Sequence, residues 1–259
     1  MNPISYILKD PVRFAKHLRI KFLNKKIKEL QELGKYFKGK NGLEIGGPSK
    51  IFGKEGYIPI YPLVNSVDGV NFSTTTVWEN TITAGKTYNY GGKTYGYQFI
   101  QDGTDLSPVD SEHYDFVLSS HSLEHIANPL KALNEWLRVL KKGGILVLVL
   151  PDKRYTFDYR RPVTKFEHLQ QDFQNETAES DLTHLEEIIS LHDLSCDDGI
   201  QDFERFKKRS ADNFANRCLH HHVFDLKLME DILEYFNLKI IVKDTAPPYN
   251  LIMMAVKEK

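Results

Sequence analysis

An α/β fold built on an open, mostly parallel sheet is predicted for this chain by three stretches. Asn41-Gly42-Leu43-Glu44-Ile45 alternates apolar with small or polar residues and stops at Gly46-Gly47-Pro48. That pattern reads as a strand followed by a turn where a ligand approaches bare backbone. Further on, residues 116–118 form an apolar strand, and Pro129 then opens a helix with Leu130, Leu133, Leu137 and Leu140 along one face. Lys141-Lys142-Gly143-Gly144 is expected to close that helix, with cations at its negative end and glycine at the exit. The unbroken apolar run 145–150 is the third stretch, and strand–helix–strand of this kind is parallel-sheet architecture.

The remaining elements follow in order. Residues 3–38 read as helical, broken near Asp10-Pro11, where Asp10 caps the helix that Pro11 starts. Ile51-Phe52-Gly53 is too short for a full helix after the first strand. Residues 66–70 make the second strand, and residues 73–97, rich in Thr, Tyr and Gly, carry a small hairpin around 88–95, expected as an inserted flap. Residues 97–100 are the third strand. Asp225 caps a closing helix over 226–236, Asn237 takes its left-handed exit, and residues 238–243 and 251–256 form two last strands.

Length and composition set the bounds. The 259 residues, 41% of them apolar, suffice for one good core with room for an insertion. The run 145–150 is far too short to span a bilayer. Neither a secretion signal nor metal-ligand spacing of Cys196 and Cys218 is present, so a cytoplasmic protein with plain thiols is expected. Of the 34 Lys/Arg and 35 Asp/Glu, eleven and three lie in residues 1–40, leaving 23 and 32 for the remainder. Residues 1–40 are thus a basic, amphipathic helical arm; its apolar spacing favours packing on the domain over membrane contact. Tyrosines in the hairpin lack an accompanying basic cluster, which argues against nucleic acid.

Two motifs together carry a resemblance. Glu44-Ile45-Gly46-Gly47, and Tyr114-Asp115-Phe116-Val117 with Leu123-Glu124-His125-Ile126 and Arg138-Val139-Leu140-Lys141-Lys142-Gly143-Gly144, resemble the S-adenosylmethionine (SAM)-dependent methyltransferases of the Rossmann-like class. The likeness covers roughly residues 41–152 and the chain's end. Here the glycines of the first motif are adjacent and Pro48-Ser49 replaces the third. The resemblance implies a seven-stranded, mostly parallel sheet with an antiparallel last strand, and SAM as cofactor. It places Glu44, Gly46, Gly47 and Pro48 beside the methionine part, and Asp102 and Gly103 beside the adenine. Asp68, 22 residues after Gly46, is read as the ribose ligand, since a carboxylate accepts two hydrogen bonds. Ser119, Ser120 and His121 fall where sulfonium and acceptor meet. His121 is the catalytic candidate at the strand end, whereas His125 is often structural in the family.

Residues 152–224 interrupt the minimal fold with a polar, largely helical insertion holding six of the ten histidines. Thr183-His184-Leu185-Glu186 reads as a capping box for a helix to about Leu191. As an acceptor pocket, the insertion would bind an anionic or hydroxyl-rich substrate through Arg154, Tyr155, Arg160, Arg161 and His168, with His184, His220 or His222 as base. As a metal site, His184 and Glu187 would meet part of the 220–222 run, but no recognised ligand spacing is present and no metal is assigned.

The sequence therefore predicts methyl transfer from SAM to an oxygen or nitrogen of a small acceptor. The stretch 151–158 followed by Glu167-His168-Leu169 resembles methyltransferases of bacterial capsule and O-antigen clusters, which implies a sugar, nucleotide-sugar or phosphoryl-linked acceptor. A SAM-binding protein without turnover, a metal-assisted methyltransferase and a nicotinamide oxidoreductase are the alternatives; Pro48 and Gly53 argue against the last. A homodimer is left open.

Overall fold

The apolar run predicted as the fifth strand becomes the spine of the sheet. In the computed structural model, which describes residues 32–79, 81–90, 94–197, 199–246 and 248–258, it is β6, Leu140–Pro151. Ile145, Val147 and Val149 point to one face and Leu146, Leu148 and Leu150 to the other, the period of two that an extended chain imposes. Both faces are apolar because β6 lies between two strands and is covered on each side.

The other strands are β1 (Asn41–Ile45), β2 (Ser66–Asn71), β3 (Gly85–Asn89), β4 (Thr94–Ile100), β5 (Tyr114–Ser120), β7 (Lys239–Ala246) and β8 (Asn250–Val256). They form one eight-stranded sheet in the order β3-β4-β2-β1-β5-β6-β8-β7. The core β4-β2-β1-β5-β6 is parallel, while β8 runs antiparallel to β6 and β7, as expected for the closing pair. The eighth strand is the first arm of the tyrosine-rich hairpin. Residues 73–97 do not form a separate flap: β3 pairs antiparallel with β4, placing fully buried Tyr88 in the core.

One face is covered by α2 (Pro129–Val139) and α7 (Leu226–Tyr235), through Leu130, Leu133, Trp136, Met229, Ile232 and Leu233. Asn128 caps α2 by accepting from the Lys131 N–H at 3.0 Å, with Pro129 in the first turn. On the other face, Phe52, Ile58 and Ile60 of the loop after β1 pack with Phe37 from the short α1 (Leu33–Phe37). The Phe37 and Phe116 rings meet edge to face at 5.3 Å. The rest of the expected basic arm lies outside the described residues.

Two local expectations are corrected. Lys141-Lys142-Gly143-Gly144 does not close α2. The backbone is already extended at fully buried Leu140, which pairs with Tyr114, and the lysines and glycines sit in an irregular start of β6 with Gly143 at φ +73°. The capping box at Thr183 does not form either. The Thr183 hydroxyl donates to Asp181 instead, and α4 (Leu185–Leu191) starts without a side-chain cap. Residues 152–224 otherwise hold α3 (Phe166–Gln174), α4, α5 (Phe203–Ala211) and α6 (Asn213–Asn216), with a small apolar centre at Ile188, Phe206 and Leu219.

Candidate active site

Ligands of open α/β sheets bind at the carboxyl ends of the strands where the strand order reverses, here between β1 and β5. Gly46 leaves β1 at φ +75°, and a Cβ there would come within 2.2 Å of Ser122 Oγ. At Gly47 it would come within 2.3 Å of both the Glu44 carboxyl and the Tyr88 hydroxyl. Both positions require glycine for the fold itself. The Gly47–Pro48 peptide is cis.

Glu44 does not face a ligand. It is fully buried, and its carboxylate accepts from the Ser49 N–H (3.0 Å), the Tyr61 hydroxyl (2.5 Å) and the Tyr88 hydroxyl (2.7 Å). Burial raises its pKa against these three donors. Its role is to pin the glycine turn to the loop and to β3. Tyr61 and Tyr88 are therefore part of the turn's support, which spacing could not reveal.

Asp68 is also misplaced for the ribose role. It lies three residues before the end of β2, and its oxygens accept from the Tyr97 N–H and the Tyr114 hydroxyl, both at 2.7 Å. At the carboxyl end stands Asn71, whose Nδ2 donates to the Gly47 carbonyl at 3.2 Å. Accordingly, Asp68→Asn should leave SAM affinity unchanged in a calorimetric titration, whereas Asn71→Ala should weaken it about tenfold, the worth of one hydrogen bond. Equal losses in both variants would restore Asp68 to the site.

Asp102 does follow β4 at the ligand edge. One oxygen accepts from the Thr104 N–H (2.9 Å) and hydroxyl (2.8 Å), the other from Arg217 at 3.0 Å. Arg217 also lies 2.5 Å from Glu179 and over the rings of Phe72 and Phe214. Burial raises the Glu179 pKa to about 7, against the pull of Arg217. Gly103 gives its carbonyl to Trp136 Nε1 at 2.8 Å, tying this turn to α2. Ser119, in register with Ile45, is buried and its Oγ has no partner; Ser120 beside it is buried.

The turn after β5 gathers the reactive groups. His121, at φ +53°, holds Asn250 through Nε2 (2.8 Å) and places Nδ1 3.6 Å from Glu124. Glu124 is 1% exposed and neither oxygen has a hydrogen-bond partner; burial raises its pKa. Ring nitrogens of His125 and His220 and an oxygen of Glu124 lie within 4.8 Å of one another. Carbonyl and carboxylate oxygens only accept, so the Nδ1 contacts of His125 to Leu219 (3.0 Å) and of His220 to Asp158 (2.5 Å) fix both rings with Nε2 bare. Burial lowers the His220 pKa, but the Asp158 carboxylate outweighs it and holds the ring above its ordinary value. Asp158 is held down to about 2: burial pushes it up, but His220 and Arg161 prevail. Trp78, largely exposed, closes edge-on against His125 at 5.2 Å.

Of the four catalytic candidates, the structure brings His121 and His220 together. His184 and His222 lie in a separate cluster with His168. The expected arginine pocket does not assemble, because each arginine is taken by a neighbour. Arg154 makes a fork on Asp152 (2.9 and 2.6 Å) and Arg160 pairs with Asp193 at 3.2 Å. Arg161, 1% exposed, is bound to Asp158 (3.1 Å), Glu187 (2.8 Å) and the carbonyls of His220 and His221. Glu187 thereby leaves the metal set expected for it. Tyr155 lies beneath Arg154. Asp158, Glu124, Glu179 and Arg217 went unassigned by sequence; the Asp158–His220 pair spans 62 positions, a separation no local pattern signals.

A family model described as "Methyltransferase domain" matches residues 60–148, from the loop before β2 into β6 and without the Gly46-Gly47 turn. The ubiquinone/menaquinone biosynthesis C-methyltransferase UbiE of Campylobacter jejuni is 39% identical over 57 residues, 22% of this chain and 24% of that protein. Demethylmenaquinone methyltransferase of Clavibacter sepedonicus is 47% identical over 47 residues, 18% of this chain and 19% of that protein. The aligned part thus spans no more than a quarter of these relatives. A putative S-adenosylmethionine-dependent methyltransferase from Listeria monocytogenes aligns over 89% of this chain and 96% of its own, at 17% identity and a TM-score of 0.48. Residues 60–148 thus match a methyltransferase domain, and they lie in a sheet whose strand order is that of a Rossmann-like fold.

Proposed function

We propose that the chain transfers the methyl group of SAM to a hydroxyl oxygen of a small acceptor, with His220 taking the hydroxyl proton. The observation that carries this reading is the Asp158–His220 pair set against Glu124, His125 and His121 at the carboxyl end of β5. The residues at that edge suit the cofactor: a glycine turn held by Glu44, Asn71 and Asp102 at two neighbouring strand ends, and the unpaired, buried Ser119 Oγ.

SAM supplies an electrophilic methyl on a sulfonium. As that methyl passed to the acceptor oxygen, with the sulfur as neutral leaving group, His220 Nε2 would take the hydroxyl proton. Asp158 fixes the tautomer, holds the ring and stabilises the imidazolium that results. The protein's larger share is to hold acceptor and cofactor in line, with Trp78 bounding the acceptor side.

A sugar or nucleotide-sugar acceptor remains the class to screen first. Its support is the resemblance of 151–158 and 167–169 alone, since the arginines are paired within the chain. Carbon methylation of a quinone precursor, suggested by the relatives' names, is the competing reading and belongs in the same acceptor panel. The first test is calorimetric titration of the purified chain with SAM. Binding in the micromolar range, weakened by Asp102→Ala, is expected; an absence of SAM binding would overturn the enzymatic reading.

A further inference from the structure

Away from the β5 edge, the insertion folds a second polar cluster with a different composition. α3 contributes His168 and Asp172, one turn apart on the same face; the residue preceding α4 contributes His184; the irregular run before α7 contributes His222. His168 Nε2 lies 2.9 Å from His184 Nε2 and 3.3 Å from Asp172 Oδ2. A ring nitrogen of His222 falls within 4.8 Å of those of the other two histidines.

Hydrogen bonding within the chain does not satisfy this group. One proton shared between His168 and His184 accounts for that pair. His222 Nε2 faces the Ala127 carbonyl at 3.0 Å and must donate to it, which leaves Nδ1 as a lone pair. That Nδ1 is buried without a partner, and Asp172 Oδ2 likewise accepts no hydrogen bond. Two buried lone pairs therefore sit in a cluster that has run out of protons, and unpartnered buried acceptors are rare in folded chains.

We propose that His168, His184 and His222 bind a divalent transition metal of the zinc type, with Asp172 Oδ2, 3.3 Å from His168 Nε2 and outside the three-histidine group, drawn in as the fourth ligand. Three imidazoles and one carboxylate are the nitrogen–oxygen donor set of a four-coordinate zinc site. Bonds of about 2.0–2.1 Å in a tetrahedron put ligand atoms about 3.3–3.4 Å apart, close to the 2.9 and 3.3 Å edges in place. Outer partners are in place as well. Thr177 donates to Asp172 Oδ1 at 3.1 Å, and the Ala127 carbonyl orients His222. His168, with 37% of its side chain exposed, provides the way in. Four protein ligands leave no open position, so the ion would be structural: it ties α3 and α4 to the run that carries His220 two residues before His222.

The test is metal analysis of the full chain, purified without a histidine tag from zinc-supplemented medium. About one zinc per chain is expected, removed by chelator with a fall in Tm and restored with the Tm by added zinc. His184→Asn should abolish the stoichiometry. Thr177→Val, which keeps all four ligands, should weaken zinc affinity about 10–100-fold. A metal-stripped chain whose Tm does not respond to zinc would overturn the proposal. So would zinc retained in full by His184→Asn, which would move the ion to the Glu124–His125–His220 cluster. None of these readouts depends on methyl transfer.

Discussion

His220→Gln is expected to lower kcat for methyl transfer by about 10²–10⁴-fold, the usual contribution of a positioned base, with SAM affinity unchanged. The expectation follows from the placement of the ring. Its Nδ1 is held by Asp158 at 2.5 Å, which leaves Nε2 bare, and a ring nitrogen of His220 lies within 4.8 Å of Glu124 and His125. No other nitrogen there has both a bare lone pair and a carboxylate behind it: His125 is oriented by a carbonyl, and His121 by Asn250. Asp158→Asn should reproduce part of the loss, because the amide keeps the shape but removes the charge that stabilises the protonated ring. Single-turnover kinetics with saturating SAM separate this effect from binding. A variant that keeps more than about a tenth of the wild-type rate would exclude His220 as the base and direct attention to Glu124, whose oxygens are bare and buried.

Arg161→Met is expected to destabilise the chain by about 3–5 kcal/mol, the cost of breaking a buried ion pair by removing one partner. For a chain of this length that is a fall in Tm on the order of 10 °C. The guanidinium is 1% exposed and serves Asp158, Glu187 and two carbonyls of the 220–222 run at once. Its removal strands the Asp158 carboxylate at 4% exposure and frees two backbone acceptors. Arg161→Met combined with Asp158→Asn should recover part of the loss, since the uncompensated charge goes with the second change. A single variant within about 1 kcal/mol of wild type, as surface pairs give, would mean that the cluster is solvated and that Arg161 faces a ligand after all. Because the same guanidinium fixes the carbonyl of His220, the variant should also lose turnover more than SAM affinity.

These two residues mark where sequence reasoning was sufficient and where it failed. Arg161 stood out as a cation in a polar insertion, and an arginine with no visible partner reads as a substrate ligand. Its partners are 3, 26, 59 and 60 positions away, and only the fold brings them within reach. Asp68 failed for a related reason. Counting residues from Gly46 located an acidic side chain but not its depth in the strand, and β2 runs three residues beyond it. Glu44 reads from sequence as a cofactor ligand beside the glycine turn, but its direction depends on Tyr61 and Tyr88, which arrive from a loop and from a strand that joins the sheet edge.

What the sequence determined by itself was the periodic part. Alternation in β1 and β6, the apolar stripe with its Pro129 start in α2, and the paired closing strands are local patterns that bury apolar surface in one way only. Those patterns, with the two motifs, were enough for the parallel core of the sheet and for the fold class. Tertiary structure alone decided which polar groups meet. Hydrogen bonds and ion pairs are short-ranged, so a histidine acquires its role from whatever the chain folds against it. His220 faces Asp158 and the β5 edge, while His222, two residues on, faces His168, His184 and Asp172. The run 220–222 belongs to no strand, so no period of two fixes its side chains, and the departure of these two rings into different clusters is set by what packs around them.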